Sequence, residues 1–475
     1  MSLSKNIATN AALQVGGRII GTVLGLFTLG IMTRSLAPTG YGTFTTAMSF
    51  LQFFGILADF GLTITMTKLI SEHGADEDSV ASNVFTMRLA TATVLFSIAP
   101  VAAAFFPYSS DVRAGIAVAA FSFFFMSVSQ VLVGVFQKHL ASHLSAAAEV
   151  LGRAMLLAGV LFSERTGAGL PGFFFAVVAG NAVQLAYSLA AVRKFVTLRF
   201  AADMAVWRKI LRESWPIGLS IAFNLIYLKG DVIALSVYRT QDEVGWYGAA
   251  YKVLDVITVI PMIFMGLVLP QLTSSWSMHD HDAFARRLRR AFDALVLLAV
   301  PLAVGTFAVS TDLMTLVAGR DFAASGPILT VLMLAGSAVF VSALYGHAVV
   351  AIGLQRQMIW AYAFDAVAST VLYVTLVRGS GPLAAAWITV FSETFILCAC
   401  AAAVHAKTRV MPDWRALGVA VCGSAVMFGA LRVSSGIEVV ARVFIGVAAY
   451  GAVVLASGVV SKDALALLGI KPRSV

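Results

Sequence analysis

Arg18, Asp59, Glu149, Arg153, Lys229, Asp231, Lys252, Asp255, Asp293, Asp365, Glu393 and Arg442 are charged residues set inside long apolar stretches. A charge at the middle of a helix in hydrocarbon costs about 2.5–3.5 kcal/mol on insertion scales, so it persists where it faces a cavity or a partner. The cations among them can hold an anion, above all a phosphate, which a guanidinium meets through two parallel donors. The carboxylates can take up a proton or a sodium ion.

Spacing sorts these residues. Asn10, Gln14 and Arg18 recur every four residues and share one helical face, beside Gly16, Gly17 and Gly21. Arg18 is then either an anion contact or a side chain snorkelling to the interface. Asn224, Tyr227 and Asp231 are helically spaced, with Lys229 on another face; Tyr247, Tyr251 and Asp255 form a second stripe with Lys252 beside it. Lys252 and Asp255 can equally be a structural pair. The candidate substrate contacts are therefore Gln14, Arg18, Asn224, Tyr227, Lys229, Tyr251 and Lys252. Asp231, Asp255, Asp365 and Glu393 are the candidates for cation coupling, Asp365 sharing a stripe with Ser369 and Tyr373. Glu149 and Arg153, four apart, are expected to pair on their own helix. Asp59 is expected to brace a helix end ahead of Gly61, and Asp293 and Arg442 to be interfacial.

The elements that position them follow from composition. Of 475 residues 59% are hydrophobic and only 12% charged, with a mean hydropathy of +0.89; soluble chains run roughly 45–50% apolar and about 25% charged. Too few polar side chains remain to cover a surface in water. Fourteen apolar runs, the first at 12–33 and the last at 440–460, are each long enough for a membrane-crossing helix and too solidly apolar for alternating barrel strands. The expected fold is an all-α polytopic membrane protein of about fourteen helices. The three cysteines lie within apolar runs and show no disulfide or metal spacing. No removable signal peptide is read at the N-terminus. The net charge of +9 is ascribed to cytoplasmic loops rather than to nucleic acid. Loop Lys and Arg fall about three to one on one side, which puts both termini in the cytoplasm. The basic segment 193–212 divides the chain, giving a first lobe 1–198 (spans 1–6), a basic cytoplasmic linker 199–213, a second lobe 214–406 (spans 7–12), and 407–475 with spans 13 and 14 and a cytoplasmic tail. Tyr41-Gly42 and Tyr247-Gly248 open spans 2 and 8, Pro100 and Pro301 lie in spans 3 and 9, and 167–192 aligns with 379–404. This order suggests a parallel repeat about an axis along the membrane normal. Arg286, Arg287, Arg289 and Arg290 are expected near anionic lipid headgroups. The loops are short and lack a P-loop, a zinc motif or a nucleophile elbow, so no enzyme, metal or cofactor is expected.

The segment Arg34 to Leu62, RSLAPTGYGTFTTAMSFLQFFGILADFGL, resembles the N-terminal signature of the polysaccharide transporter family, the Wzx-like lipid-linked oligosaccharide flippases. LKGDVIALS (228–236), VGWYGAAYKV (244–253), LVAGRDFAASGPILTVL (316–332) and GPLAAAWITVFSE (381–393) fit the same pattern in order. The resemblance implies two six-helix lobes, a central cavity, and alternating access that moves a polyprenyl-diphosphate-linked glycan outward across a bacterial cytoplasmic membrane. The carboxylates inside apolar runs suggest a proton or sodium ion as coupling partner, and a polysaccharide polymerase and export machinery are expected partners. The same superfamily contains multidrug and toxin exporters and the lipid II flippase. A cation-coupled drug exporter is thus the alternative function, and an intramembrane polymerase or ligase a more distant one.

Overall fold

The computed structural model describes residues 3–72 and 76–459, and the side chains of 3–15, 216–217 and 219–228 fall outside the described residues. Among the described residues there is no strand. The helices are α1 (Leu3–Asp59), α2 (Leu62–Ile70), α3 (Glu77–Ala103), α4 (Ser110–Lys138), α5 (Ser142–Thr166), α6 (Gly169–Val192), α7 (Met204–Tyr238), α8 (Gln241–Ile257), α9 (Val259–Ser277), α10 (His281–Ala318), α11 (Ser325–Ala351), α12 (Gln355–Leu372), α13 (Arg378–Thr408), α14 (Trp414–Val433) and α15 (Val439–Ser457), with a π-helical turn Tyr373–Val377 joining α12 to α13.

Among the described residues, eleven stretches are long and apolar enough to cross a bilayer. Two of them, 16–70 and 355–408, hold 55 and 54 residues; at about 1.5 Å per residue each far exceeds a hydrocarbon core of about 30 Å. Each contains a break just before a proline. Helix α1 breaks at Ala37 (φ 53°, ψ 178°) ahead of Pro38, and α13 at Gly381 (φ 61°, ψ −145°) ahead of Pro382. Proline disfavours the helical region for the residue before it, so the sequence itself sets both breaks. Span 2, expected as one helix over 43–66, is interrupted: Phe60 (φ 36°) and Gly61 (φ 78°) separate α1 from α2. Span 8, expected over 247–270, divides into α8 and α9.

The chain gathers into two compact units, one of 1–249, 317–321 and 366–385, the other of 250–316, 322–365 and 386–475. In the first unit Leu51, Phe96, Ile116 and Phe123 form one core between α1, α3 and α4, and Met66, Val84, Phe136, Val192 and Ile210 form another. Helices in lipid are held by close packing and polar contacts rather than by a hydrophobic drive. At the α5–α6 crossing, a Cβ on Gly152 or Gly180 would lie 2.9 or 2.8 Å from the other residue's carbonyl oxygen. The second unit is built around Met265, Leu288, Phe340, Leu344 and Cys400 of α9, α10, α11 and α13.

The basic segment after α6 is strapped onto α3. Amides of alternate residues donate to it: Thr197 to Asp78 (2.9 Å), Arg199 to Ser82 (3.0 Å), Ala201 to Thr86 (3.0 Å) and Asp203 to Asn83 (2.8 Å). An extended chain presents every second residue to one side, and a helix presents every fourth, so 197–201 matches 78, 82 and 86 in register. Asp203 then caps α7 by accepting from the amides of Ala205 and Val206. The first turns of α7 are held to α2 and the turn after it by Lys68–Glu213 at 2.6 Å and Lys209–Glu72 at 2.9 Å, with Ile210 fully buried.

Candidate functional site

In the first unit, Arg18 is exposed on α1 and Gln14 lies outside the described side chains. Glu149 and Arg153 pair at 2.5 Å as their spacing implies, and Arg153 also donates to the Gly21 carbonyl at 2.5 Å, joining α5 to α1 one turn from Arg18. Asp231 is 1% exposed; its carboxylate accepts from the Tyr247 hydroxyl at 2.6 Å and the Val232 amide at 2.7 Å. That ties α7 to the start of α8. Lys229 is half-buried, and the side chains of Asn224 and Tyr227 lie outside the described residues. Ser369 and Tyr373 are buried, and a Cβ on Gly230 of α7 would come within 3.2 Å of the Tyr373 ring.

The second unit holds the remaining candidates. Lys252 and Asp255 lie 3.9 Å apart with both side chains substantially exposed, a geometry worth little in free energy. Tyr251 is buried. Asp365 is fully buried on α12 and accepts from the Ser392 hydroxyl of α13 at 3.1 Å; the next residue, Glu393, is buried too. Asp365 and Glu393 are therefore buried carboxylates of two helices joined at Ser392. Among the described residues no three His, Cys, Asp or Glu side chains gather as metal ligands.

Two ion pairs built on buried arginines are not foreseen in the sequence. Arg88, expected in a cytoplasmic segment, is wholly buried and paired with Asp59, which also accepts from the Thr63 hydroxyl at 2.6 Å. Asp59 does brace its helix end, and a carboxylate inside an apolar run was the one signal of a partner. Arg442, expected at the interface, is 5% exposed and paired with Asp312, which fixes α15 to α10. Of the arginines expected to face lipid, Arg287 donates to the Gln271 carbonyl at 2.5 Å and Arg289 to that of Met411 at 3.0 Å.

The first unit also contains a backbone-to-backbone crossing. A Cβ on Gly42 would lie 1.8 Å from the Gln241 carbonyl oxygen, and one on Gly245 2.2 Å from that of Pro38. Only glycine allows this approach. Thr39 donates to Asp242 at 2.5 Å and Thr46 to Gln241 at 2.9 Å, closing the crossing on both sides. Next to it Arg239 grips Glu243 through two bonds of 2.9 and 2.6 Å and the Arg378 carbonyl at 3.1 Å. Arg34 donates to the Val317 carbonyl at 2.9 Å, and the Trp246 indole to that of Asp321 at 3.1 Å. The start of α8 and the second limb of α1 are thereby locked together.

A bundle of long apolar helices, broken at prolines and pinned by ion pairs on buried arginines, is a multi-pass membrane protein, and its fold is that of the MOP superfamily. It is similar to the inward closed conformation of the lipid II flippase MurJ, with a TM-score of 0.78 and 13% identity, covering 95% of this chain and 99% of that one. It is also similar to an inward-facing multidrug resistance MATE family transporter, with a TM-score of 0.68 and 14% identity over 84% of this chain and 98% of the other. Residues 6–276 match the family described as polysaccharide biosynthesis protein, and the chain belongs to that family. Its relatives include the probable low-salt glycan biosynthesis flippase Agl15 of Haloferax volcanii, 22% identical over 90% of both chains, and the succinoglycan biosynthesis transport protein ExoT of Rhizobium meliloti, 21% identical over 70% of this chain and 66% of that one.

Proposed function

We propose that this chain is a flippase that moves a polyprenyl-diphosphate-linked oligosaccharide from the cytoplasmic to the outer leaflet of a bacterial cytoplasmic membrane, for export of a surface polysaccharide. The observation that carries this reading is the match over 90% of both chains to a glycan biosynthesis flippase, within a polysaccharide biosynthesis family. Fourteen crossings in two six-helix lobes related by a parallel repeat, with both termini cytoplasmic, belong to the same proposal. Transport rather than catalysis is supported by the short connections: among the described residues the longest, 193–203, is strapped to α3.

A diphosphate entering a low-dielectric cavity needs fixed cations, since an unpaired ion there costs several kcal/mol. Arg18, Lys252 and Lys229 supply them in this scheme, and the tyrosines meet sugar. The glycine crossing of α1 with α8 is the closed outer end. Asp365 and Glu393, with Asp231 and Asp255, take a proton or sodium ion to reset the carrier, because a ligand shifts an equilibrium only by binding one state better.

The test is flux of a fluorescent lipid-linked oligosaccharide in vesicles containing the purified protein. Arg18→Ala with Lys252→Ala abolishes it, Arg18→Lys keeps part, and Asp365→Asn or Glu393→Gln slows turnover more than binding. Wild-type flux in the double variant overturns the cationic cavity. Movement of cationic drugs with no movement of the lipid-linked sugar replaces the flippase by a drug exporter.

A further inference from the structure

The start of α7 has two faces of opposite character. One is bound to the first unit through Ile210, Lys209–Glu72 and Lys68–Glu213. The other carries Met204, Leu211 and Trp215, which are 67%, 50% and 54% exposed, and Phe200 just before the helix is 80% exposed. Residues 204, 211 and 215 are spaced at seven and four and share one face, and Arg208 and Arg212 line one edge of this apolar stripe. Arg199 precedes it. Arg199, Arg208 and Arg212 are exposed and form no ion pair among the described residues, unlike the neighbouring Lys209.

Water and the bilayer interior each reject half of this surface. Four large apolar side chains standing out from a basic segment are unfavourable in water, and three unpaired guanidiniums are unfavourable in hydrocarbon. Both are satisfied at the headgroup–acyl boundary, where the first turns of α7, which continues as one helix to Tyr238, set apolar side chains against the acyl chains and arginines on phosphates. The opposite face is fixed by ion pairs and by the strap on α3, so the stripe cannot turn inward to bury itself.

We propose that 199–215 is a docking surface for anionic phospholipid: Phe200, Met204, Leu211 and Trp215 enter the boundary, and Arg199, Arg208 and Arg212 bind phosphate groups. This surface is separate from the 286–290 arginines, two of which are engaged by carbonyls. It does not depend on what the chain carries.

A nitroxide at Leu211→Cys tests it, in the full chain with Cys398, Cys400 and Cys422 replaced by Ala, held in phosphatidylcholine nanodiscs with or without phosphatidylglycerol. With phosphatidylglycerol, oxygen collides with the label more than a water-soluble nickel chelate does. Each surface arginine is worth about five-fold in attraction to an anionic leaflet, so Arg199→Gln, Arg208→Gln and Arg212→Gln together weaken the partition of the label into the phosphatidylglycerol leaflet by roughly a hundred-fold. Lys at the three positions restores it, which separates lost charge from lost folding. A label that stays open to the nickel chelate in phosphatidylglycerol overturns the proposal, as does one equally buried in both lipids and in the Gln variant. Protection that requires an added acidic protein overturns it too and assigns the surface to that partner.

Discussion

Two regions of the first unit hold chain segments together by opposite means. At the crossing of α1 with α8, backbone meets backbone: Gly42 and Gly245 leave no room for a methyl group, and two threonine hydroxyls seal the contact. At the strap, side chains of α3 reach out to the amides of 197–203, and exposed ion pairs hold the first turns of α7. The first contact has one geometry and is either made or lost. The second is spread over many small polar terms, any of which can be replaced by water. The alternating access proposed above calls for a contact of the first kind where the carrier opens and of the second kind where it stays closed. We therefore place the movable seal at the crossing and the permanent anchor at the strap.

The sharpest break of this comparison is Gly42→Ala. The new methyl group meets the carbonyl of Gln241 and the amide of Gly245 rather than a flexible side chain. Overpacking of this kind reaches about 3 kcal/mol, or about a hundred-fold in the population of the closed crossing. Flux in reconstituted vesicles falls by that order while the protein stays folded, and cysteines at positions 39 and 242 no longer cross-link. In the parent those cysteines cross-link on oxidation and stop flux until reduced. Gly429→Ala on α14, where a methyl group meets nothing within 4 Å, leaves both measurements unchanged. A freely transporting Gly42→Ala protein removes the seal.

Arg239→Ala gives a middle effect. It strips three hydrogen bonds from Glu243 and Arg378 beside the crossing, and a charged hydrogen bond contributes about 1.5–3 kcal/mol. We expect roughly ten-fold slower flux and easier oxygen or thiol-reagent access to a cysteine at 243. Arg239→Lys recovers little, because an ammonium cannot span both carboxylate oxygens and the carbonyl in one plane.

How much of this was legible in sequence depended on whether the signal was local. The Glu149–Arg153 pair follows from spacing along one stretch of chain and is found as expected, and the Lys252–Asp255 contact is one of the two readings its spacing offered; the breaks before Pro38 and Pro382 carry an equally local signal that the expected spans do not use. Tyr41-Gly42 and Tyr247-Gly248 stood out as repeat marks, yet nothing in the sequence says that Gly42 rests on Gln241, about 200 residues away. Arg88 was misplaced because it stands near the edge of its apolar run, and only Asp59, a helix away, makes its burial tolerable. Arg442 is likewise held by a distant partner that spacing does not show, Asp312, 130 positions upstream. The strap was read as a linker because Ser82, Asn83 and Thr86 are ordinary polar residues until an extended chain lies across them.

Ser82→Ala makes the smallest change and decides whether the strap belongs to the anchor or the seal. The hydroxyl accepts from the Arg199 amide at 3.0 Å and donates to the Thr197 carbonyl at 3.3 Å. Removing it leaves both groups near a surface that water can reach, so the loss is about 1 kcal/mol, the usual net value of such bonds. Lys209→Ala adds less than about 1 kcal/mol, because its partner Glu72 is exposed. The expected result is a slightly lower unfolding temperature in detergent with flux per folded molecule unchanged. A movable strap would instead be weakened in one transport state only, and a loss of that size would alter flux several-fold at constant stability. Measured together, unfolding temperature and flux therefore separate the two: a drop in the first alone keeps 197–203 as an anchor, and a change in the second alone moves it to the seal.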